Sequence, residues 1–245
     1  MVILYNNCKG SSDKNVSIRN KNSEKDSANY SILEWYVSKI AEMNLYYYEG
    51  EDKNIIVQYP KSHSKYICIY NSVRNSSENN LINDISSIFS SVECLNIIKN
   101  SGITFNYGVR LIINPNSVAK QQDRINSNNL SYFFETKIVE NEELSEFNSI
   151  AIVQELRDEQ GTIHTLSKSV TKILEQVLSK LNFDYHLLES YTVNHINYLP
   201  AKIPIGYVLI PKAIEGYNDQ NNEITHINIE KSSKLLLNII EKLNE

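Results

Sequence analysis

The stretch from Tyr70 to Lys99, "YNSVRNSSENNLINDISSIFSSVECLNIIK", joins an apolar run to a helical one. In an α/β enzyme that junction is where metal ligands or a nucleophile sit. Here it offers tyrosine, asparagine and serine, with Asp84 as the carboxylate at the helical boundary. Asp84 can equally serve as a helix N-cap for residues 85–100. The five histidines, His63, His164, His186, His195 and His226, stand singly, with none of the H-x-x-x-H or H-x-x-E-H spacing of a helix-borne zinc pair. "RDEQG" at 157–161 carries two acids in what reads as a solvated turn. Cys8, Cys68 and Cys94 are spaced too widely for a disulfide framework or a C-x-x-C zinc site. Cys68 and Cys94 fall mid-strand and mid-helix, where cysteine packs as a small hydrophobe and lacks the electropositive, exposed setting of a reactive thiolate.

The elements that must position these groups are legible from periodicity. Residues 10–29 are polar and charged without a period and read as an N-terminal arm or linker, leaving 30–245 as one domain. "YSILEWYVSKIAEMN" has helical spacing at Ile32, Trp35, Tyr36, Ile40 and Met43. "LYYYEG" and "KNIIVQYP" read as two strands about a turn, and "KYICIYN" as a strand buried on both faces. The helix over 85–100 carries Ile85, Ile88, Phe89, Val92, Leu95 and Ile98 on one face and stops at Gly102. Further strands are read at "ITFNYGVRLIINP", "LSYFFETKIV", "NSIAIVQEL", "DYHLLESY" and "IPIGYVLIP". Long amphipathic helices are read at "TLSKSVTKILEQVLSKLN" and "INIEKSSKLLLNIIEKLN", the latter with a stripe of Leu235, Leu236, Ile239, Ile240 and Leu243. Strands alternating with helices predict an α/β fold of three layers, a mainly parallel mixed sheet with helices on both faces.

Composition narrows the function. The chain has 245 residues, 41% of them apolar, and a net charge of -5. That charge is spread along the sequence, with no basic stripe for nucleic acid and no Lys/Arg cluster for a lipid surface. No apolar run reaches the roughly 18 residues of a membrane span, and the start "MVILYNNCKG" has no signal-peptide pattern, so a cytoplasmic location is expected. Only 7 residues are glycine, where about 7% is usual. There is no G-x-G-x-x-G, Walker loop or G-x-S-x-G elbow, which excludes nucleotide-cradling and α/β-hydrolase readings. The 16 tyrosines include the run "LYYYEG", which fits a half-buried strand or an aromatic partner surface.

From Tyr30 onward the order of segments resembles the zinc exopeptidases, the family of bacterial leucyl aminopeptidase, glutamate carboxypeptidase and glutaminyl cyclase. "KYICIYNS" lies where that family has an apolar strand leading into H-x-D, and "LINDISSIFSSVECLNIIK" is similar to its G-A-N-D-N-A-S-G-V and following helix. "ITFNYGVRLIINPNS" is similar to the strand that delivers its E-E pair. "VNHINYLPAKIPIGYVLIP" resembles the S-D-H-x-x-F-x-x-x-G-I-P region, and "EGYNDQNNEITHINIEKSSKLLLNIIEKL" the closing segment and terminal helix. The resemblance implies a zinc-exopeptidase-like, phosphorylase/hydrolase-like fold.

The family's chemistry needs zinc held by histidine and carboxylate, with a glutamate as base on metal-bound water. At the matching positions this chain has Tyr70 for the first histidine and Ser72 for the aspartate two residues on. Asp84 matches the bridging aspartate. Asn116 and Ser117 stand for the E-E pair, Val153 or Gln154 for the next aspartate, and Asn218 for the last histidine. His195 matches the S-D-H histidine near the substrate cleft. One carboxylate among amides and hydroxyls does not hold zinc against water. The expectation is therefore a catalytically inactive exopeptidase-like protein without cofactor, binding a peptide-like ligand or a protein partner and neither nucleic acid nor membrane. Its cleft would be formed by Tyr70, Ser72, Asp84, Asn116, Ser117, His195 and Asn218. The alternative is an aminopeptidase-like hydrolase or cyclase, with zinc on relocated ligands or with no metal. It would draw on Asp84, Asp158, Glu159, His164, His195 and Asp219, and it requires several of these to converge on one point.

Overall fold

The structure is a computed structural model that describes residues 34–50, 54–73, 78–114, 128–139, 149–193, 196, 198–200, 202–211 and 226–245. The expected N-terminal arm lies outside them. Nine strands form one mixed sheet: β1 (Tyr46–Glu49), β2 (Ile55–Tyr59), β3 (Tyr66–Ser72), β4 (Gly108–Asn114), β5 (Leu130–Val139), β6 (Ile150–Asp158), β7 (Ile163–Thr165), β8 (Tyr185–Val193) and β9 (Ile205–Pro211). Their order is β1-β2-β4-β3-β5-β9-β6-β7, with β8 also paired to β6. The centre, β4-β3-β5-β9, is parallel, and antiparallel pairs flank it. The helices are α1 (34–42), α2 (Glu78–Ser101), α3 (Lys168–Lys180) and α4 (His226–Asn244). This is the expected mixed α/β architecture of a large sheet flanked by helices.

Period-2 alternation divides the interior into two clusters. Ile67 and Ile69 of β3, Leu111 of β4 and Val208 of β9 join one, together with Tyr36, Ile88, Leu174 and Leu236 from the four described helices. Cys68, Tyr70, Phe133, Tyr207 and Leu209 join the other, which is closed by Val193, Ile196, Tyr198 and Leu199. The expected stripe of α4 is buried throughout, and that of α2 is buried at Ile88, Val92, Leu95 and Ile98, with Ile85 and Phe89 half-buried.

Asparagine does work that glycine does in other chains. α1 closes with Asn44 at φ +52 and hydrogen bonds from Asn44 N to Ala41 O (2.9 Å) and from Leu45 N to Ile40 O (3.1 Å). α3 closes in the same way, with Asn182 at φ +53, Asn182 N to Ser179 O (3.1 Å) and Phe183 N to Leu178 O (3.0 Å). Both are Schellman closures, which tolerate asparagine because its short polar side chain suits the left-handed region. Gly102, at φ +66, ends α2 as its position in the sequence predicts.

One local expectation is corrected. α2 begins at Glu78, so Asp84 lies inside the helix and is not its N-cap. The serines that follow are tolerated within the helix because their hydroxyls bond back one turn, Ser87 Oγ to Asn83 O (2.9 Å) and Ser91 Oγ to Ser87 O (3.0 Å). The Ser87 hydroxyl also accepts the Ile138 N–H at 3.0 Å, tying α2 to the end of β5.

Candidate functional site

In an open α/β sheet the carboxyl ends of the parallel strands face the crevice where ligands bind. At that end β3 delivers Tyr70, Asn71 and Ser72, and β4 delivers Asn114 in register with Ser72. Tyr70 pairs across to Glu135 of β5, which pairs to Tyr207 of β9, so these three side chains share one face. Tyr70 is 3% exposed. Its hydroxyl accepts a hydrogen bond from Asn114 Nδ2 at 2.9 Å, and its ring stacks on Tyr198 with centroids 4.9 Å apart and planes 19° apart. The Tyr198 hydroxyl donates to Glu135 Oε2 at 2.5 Å, and Lys137 Nζ stands 3.1 Å from Glu135 Oε1. Glu135 is 1% exposed, so this carboxylate is compensated inside the protein and not by water.

The electrostatics follow from burial. Desolvation, and then the charge of Glu135, push the Tyr70 and Tyr198 phenols above the ordinary tyrosine range. Both are protonated at neutral pH and can stack or hydrogen-bond, but cannot act as anionic ligands or bases. Burial likewise pushes the Cys68 thiol up to about 12, and Cys94 further. Neither cysteine provides a thiolate nucleophile, as their places in strand and helix predicted.

The expected site residues are distributed as follows. Tyr70 and Ser72 sit together at the end of β3, with Ser72 half-exposed. Asp84 is buried at 2% in α2, close enough that its charge adds to burial in raising the Tyr36 phenol. Asn116, Ser117, His195 and Asn218 lie outside the described residues, as does Asp219. Val153 and Gln154 lie in β6, separated from β3 by β5 and β9.

Of the relocated-ligand set, Asp158 Oδ1 accepts from the backbone N–H of Gln160 (3.0 Å) and Thr162 (2.7 Å), shaping the β6–β7 turn, which Gly161 completes at φ +81. Glu159 is exposed in that turn, and His164 pairs with Leu156 in β7. His186 Nδ1 is 2.9 Å from Ser149 Oγ, and His63 Nδ1 is 2.7 Å from the Lys65 carbonyl. Among the described residues no three His, Cys, Asp or Glu side chains group so as to hold a metal ion.

Reading motifs missed Asn114, Glu135, Lys137 and Tyr198. Its available signal was "FFETKIV", where two charges two residues apart in an apolar strand must face one side together and find partners there.

Neither a family model nor a curated protein sequence matches the chain. Solved structures do. The LapA aminopeptidase of Legionella pneumophila superposes with a TM-score of 0.60 at 12% identity, covering 89% of this chain and 66% of that one. A glutaminyl cyclase from an Acidobacteriales bacterium gives 0.54 at 12% identity, covering 89% and 86%. A dinuclear metal-binding peptidase of the M20 family from Bacillus subtilis gives 0.54 at 7% identity, covering 89% and 92%. The chain thus has the fold of the zinc-exopeptidase-like proteins, and it spans just under two thirds of the length of the Legionella aminopeptidase.

Zinc in that fold is tested here by the donors present. Where the resemblance places the first ligand, this chain has a buried, protonated phenol engaged with Asn114 and Tyr198. Two residues on it has a serine hydroxyl. This pair does not fit zinc, which takes neutral imidazole, thiolate or carboxylate. No helix among the described residues is long and apolar enough to cross a membrane.

Proposed function

We propose that this chain is a non-catalytic protein of the exopeptidase fold that binds a peptide or a protein partner. The observation that carries the reading is the Tyr70 stack. At the position where the resemblance places a zinc-binding histidine, a phenol is packed against Tyr198 at 4.9 Å and hydrogen-bonded to Asn114. The stack fills the base of the crevice with neutral aromatic surface. The proposed cleft draws on Tyr70 and Ser72 at the end of β3 and on Asp84 in α2, and the resemblance adds Asn116, Ser117, His195 and Asn218, which lie outside the described residues. Such a lining is rich in hydrogen-bonding groups, which suits peptide amides, and its carboxylate, Asp84, suits a terminal amine.

Two experiments test this. Aminoacyl and N-terminal glutaminyl substrates, assayed with and without added zinc, are expected to show no turnover above the blank, while a peptide panel raises the melting temperature. A ligand at 100 times its Kd adds about 2.7 kcal/mol. Chelator-sensitive turnover contradicts the proposal and favours the hydrolase or cyclase reading. The double variant Tyr70→His with Ser72→Asp is expected not to recover stoichiometric zinc, because Asn116, Ser117 and Asn218 still offer only amide and hydroxyl donors.

A further inference from the structure

The second face of the sheet changes character at β1, β2 and β4, where its side chains become cationic and aromatic. Tyr46, Gln58 and Arg110 form one row across these three strands, and Tyr48 lies in the next. Arg110 is partly exposed and makes no ion pair with any carboxylate among the described residues. It is nevertheless held in place. Its Nε donates to Gln58 Oε1 at 3.3 Å, and Gln58 is fixed in turn by donating from Nε2 to the Lys61 carbonyl at 2.5 Å. The guanidinium carbon lies 4.4 Å from the centroid of the Tyr66 ring. That ring fits because Gly108 beneath it has no side chain, and a Cβ there would come within 2.6 Å of it. Lys61 Nζ sits 4.5 Å over the Tyr46 ring, and the Tyr46 and Tyr48 rings are 5.8 Å apart.

An arginine with five donors spends one on Gln58, and its planar Nη edge matches a carboxylate bidentately. The row places the second cation, Lys61, over β1, two inter-strand steps from β4 and so about 10 Å away. Acidic residues four apart in an extended chain face the same side about 14 Å apart, at ~3.4 Å per residue, and their flexible side chains close that span to about 10 Å while the residue between them on that face meets the tyrosines. Glu49 has the opposite parity to Tyr46 and Tyr48 on β1 and faces away. In a chain of net charge -5 this is a local cationic patch with an aromatic floor. We infer that it is a docking site for an acidic peptide segment, with one carboxylate gripped by Arg110, a second by Lys61, and the intervening side chains resting on the tyrosines. A single small anion gains little at a partly exposed cation, so the spacing of two carboxylates is what the patch selects. Arg110 lies four residues before Asn114, about 13 Å along the strand, so the site stands or falls independently of the Tyr70 stack.

The test uses the full chain and the side-chain Nε–Hε signals of arginine in NMR, with Arg110 assigned by its loss in Arg110→Lys. Titrants are the peptide EAYAEAYAE, its glutamine counterpart QAYAQAYAQ, inorganic phosphate and oligothymidylate. The acidic peptide is expected to shift the Arg110 signal saturably, more weakly as salt rises. In a calorimeter, since these variants lack the reporter signal, Arg110→Lys and Arg110→Gln are expected to bind the acidic peptide roughly tenfold more weakly. Lys61→Gln, at an exposed position that leaves the fold intact, weakens binding roughly threefold. The inference is overturned if millimolar EAYAEAYAE leaves the signal unmoved, if QAYAQAYAQ, phosphate or oligothymidylate binds as tightly, or if Lys61→Gln and Arg110→Gln both bind as the unaltered protein does.

Discussion

The two faces of β3 use one run of residues in different ways. Ile67 and Ile69 enter a cluster that all four described helices help to build, and their neighbours there are almost wholly aliphatic or aromatic. Cys68 and Tyr70, interleaved with them, meet Phe133 and Tyr198 and stand beside Glu135, Lys137 and Asn114. Burial is equally complete on both sides. The helix side holds Asp84 and the bonds from Asn71 to Ser91 and from Ile138 N to Ser87 at its margin, whereas the second side sets a charged pair, Glu135 and Lys137, among its aromatic rings. The apolar positions of the helix face, Ile67 and Ile69 among them, tolerate any well-packed set of the same volume, whereas Tyr70 and Glu135 depend on particular partners. A chain with the exopeptidase fold and a tyrosine stack at the strand ends is what that division allows.

The comparison breaks most visibly at Lys137. Replacing it with Met strands the buried Glu135 carboxylate, and chemical denaturation is expected to show a loss of about 3–5 kcal/mol. Adding Glu135→Gln should restore most of it, and additivity of the two losses would contradict the pairing. Tyr198→Phe removes the donor to Glu135 Oε2 and is expected to cost about 1–3 kcal/mol by the same measurement. On the helix side, Ile69→Val deletes one methylene without stranding any group and should cost only about 0.5–1.5 kcal/mol. The smallest effect concerns pH. The Tyr70 and Tyr198 phenols have raised pKa values in the folded chain, so above about pH 10 the unfolded chain loses phenolic protons that the folded chain keeps. Stability should fall as pH rises through this range, and Tyr70→Phe should flatten the slope relative to the unaltered protein.

Much of the fold was legible because it rests on periodicity. The strands around Ile67 and Val208 and the stripe of α4 are long apolar patterns that only one arrangement buries. β7 escaped because its three residues, Ile163–Thr165, are exposed or half-buried and set no period. Asp84 was misread as a cap because Asn83-Asp84 looks like a helix start, while the preceding "ENNLI" has weak helix propensity and joins α2 only in its tertiary setting. Tyr70 and Ser72 were singled out by matching "KYICIYNS" to a strand that leads into H-x-D, and both lie at the end of β3. The partners of Tyr70 were not, since Asn114 and Tyr198 lie 44 and 128 residues away and their meeting depends on strand order. Arg110 gave no motif either. Its importance lies in having no acidic partner among the described residues, a property of neighbours on the sheet and not of sequence.

The most direct test of the account is zinc itself. Protein purified without added metal would be analysed for its elements and then titrated with zinc in a calorimeter. The account predicts metal well below one ion per chain and no saturable heat at micromolar zinc, because the positions that the resemblance gives to the first ligands carry a protonated phenol and a hydroxyl. One or two zinc ions per chain, retained through purification or bound at micromolar concentration, would contradict it.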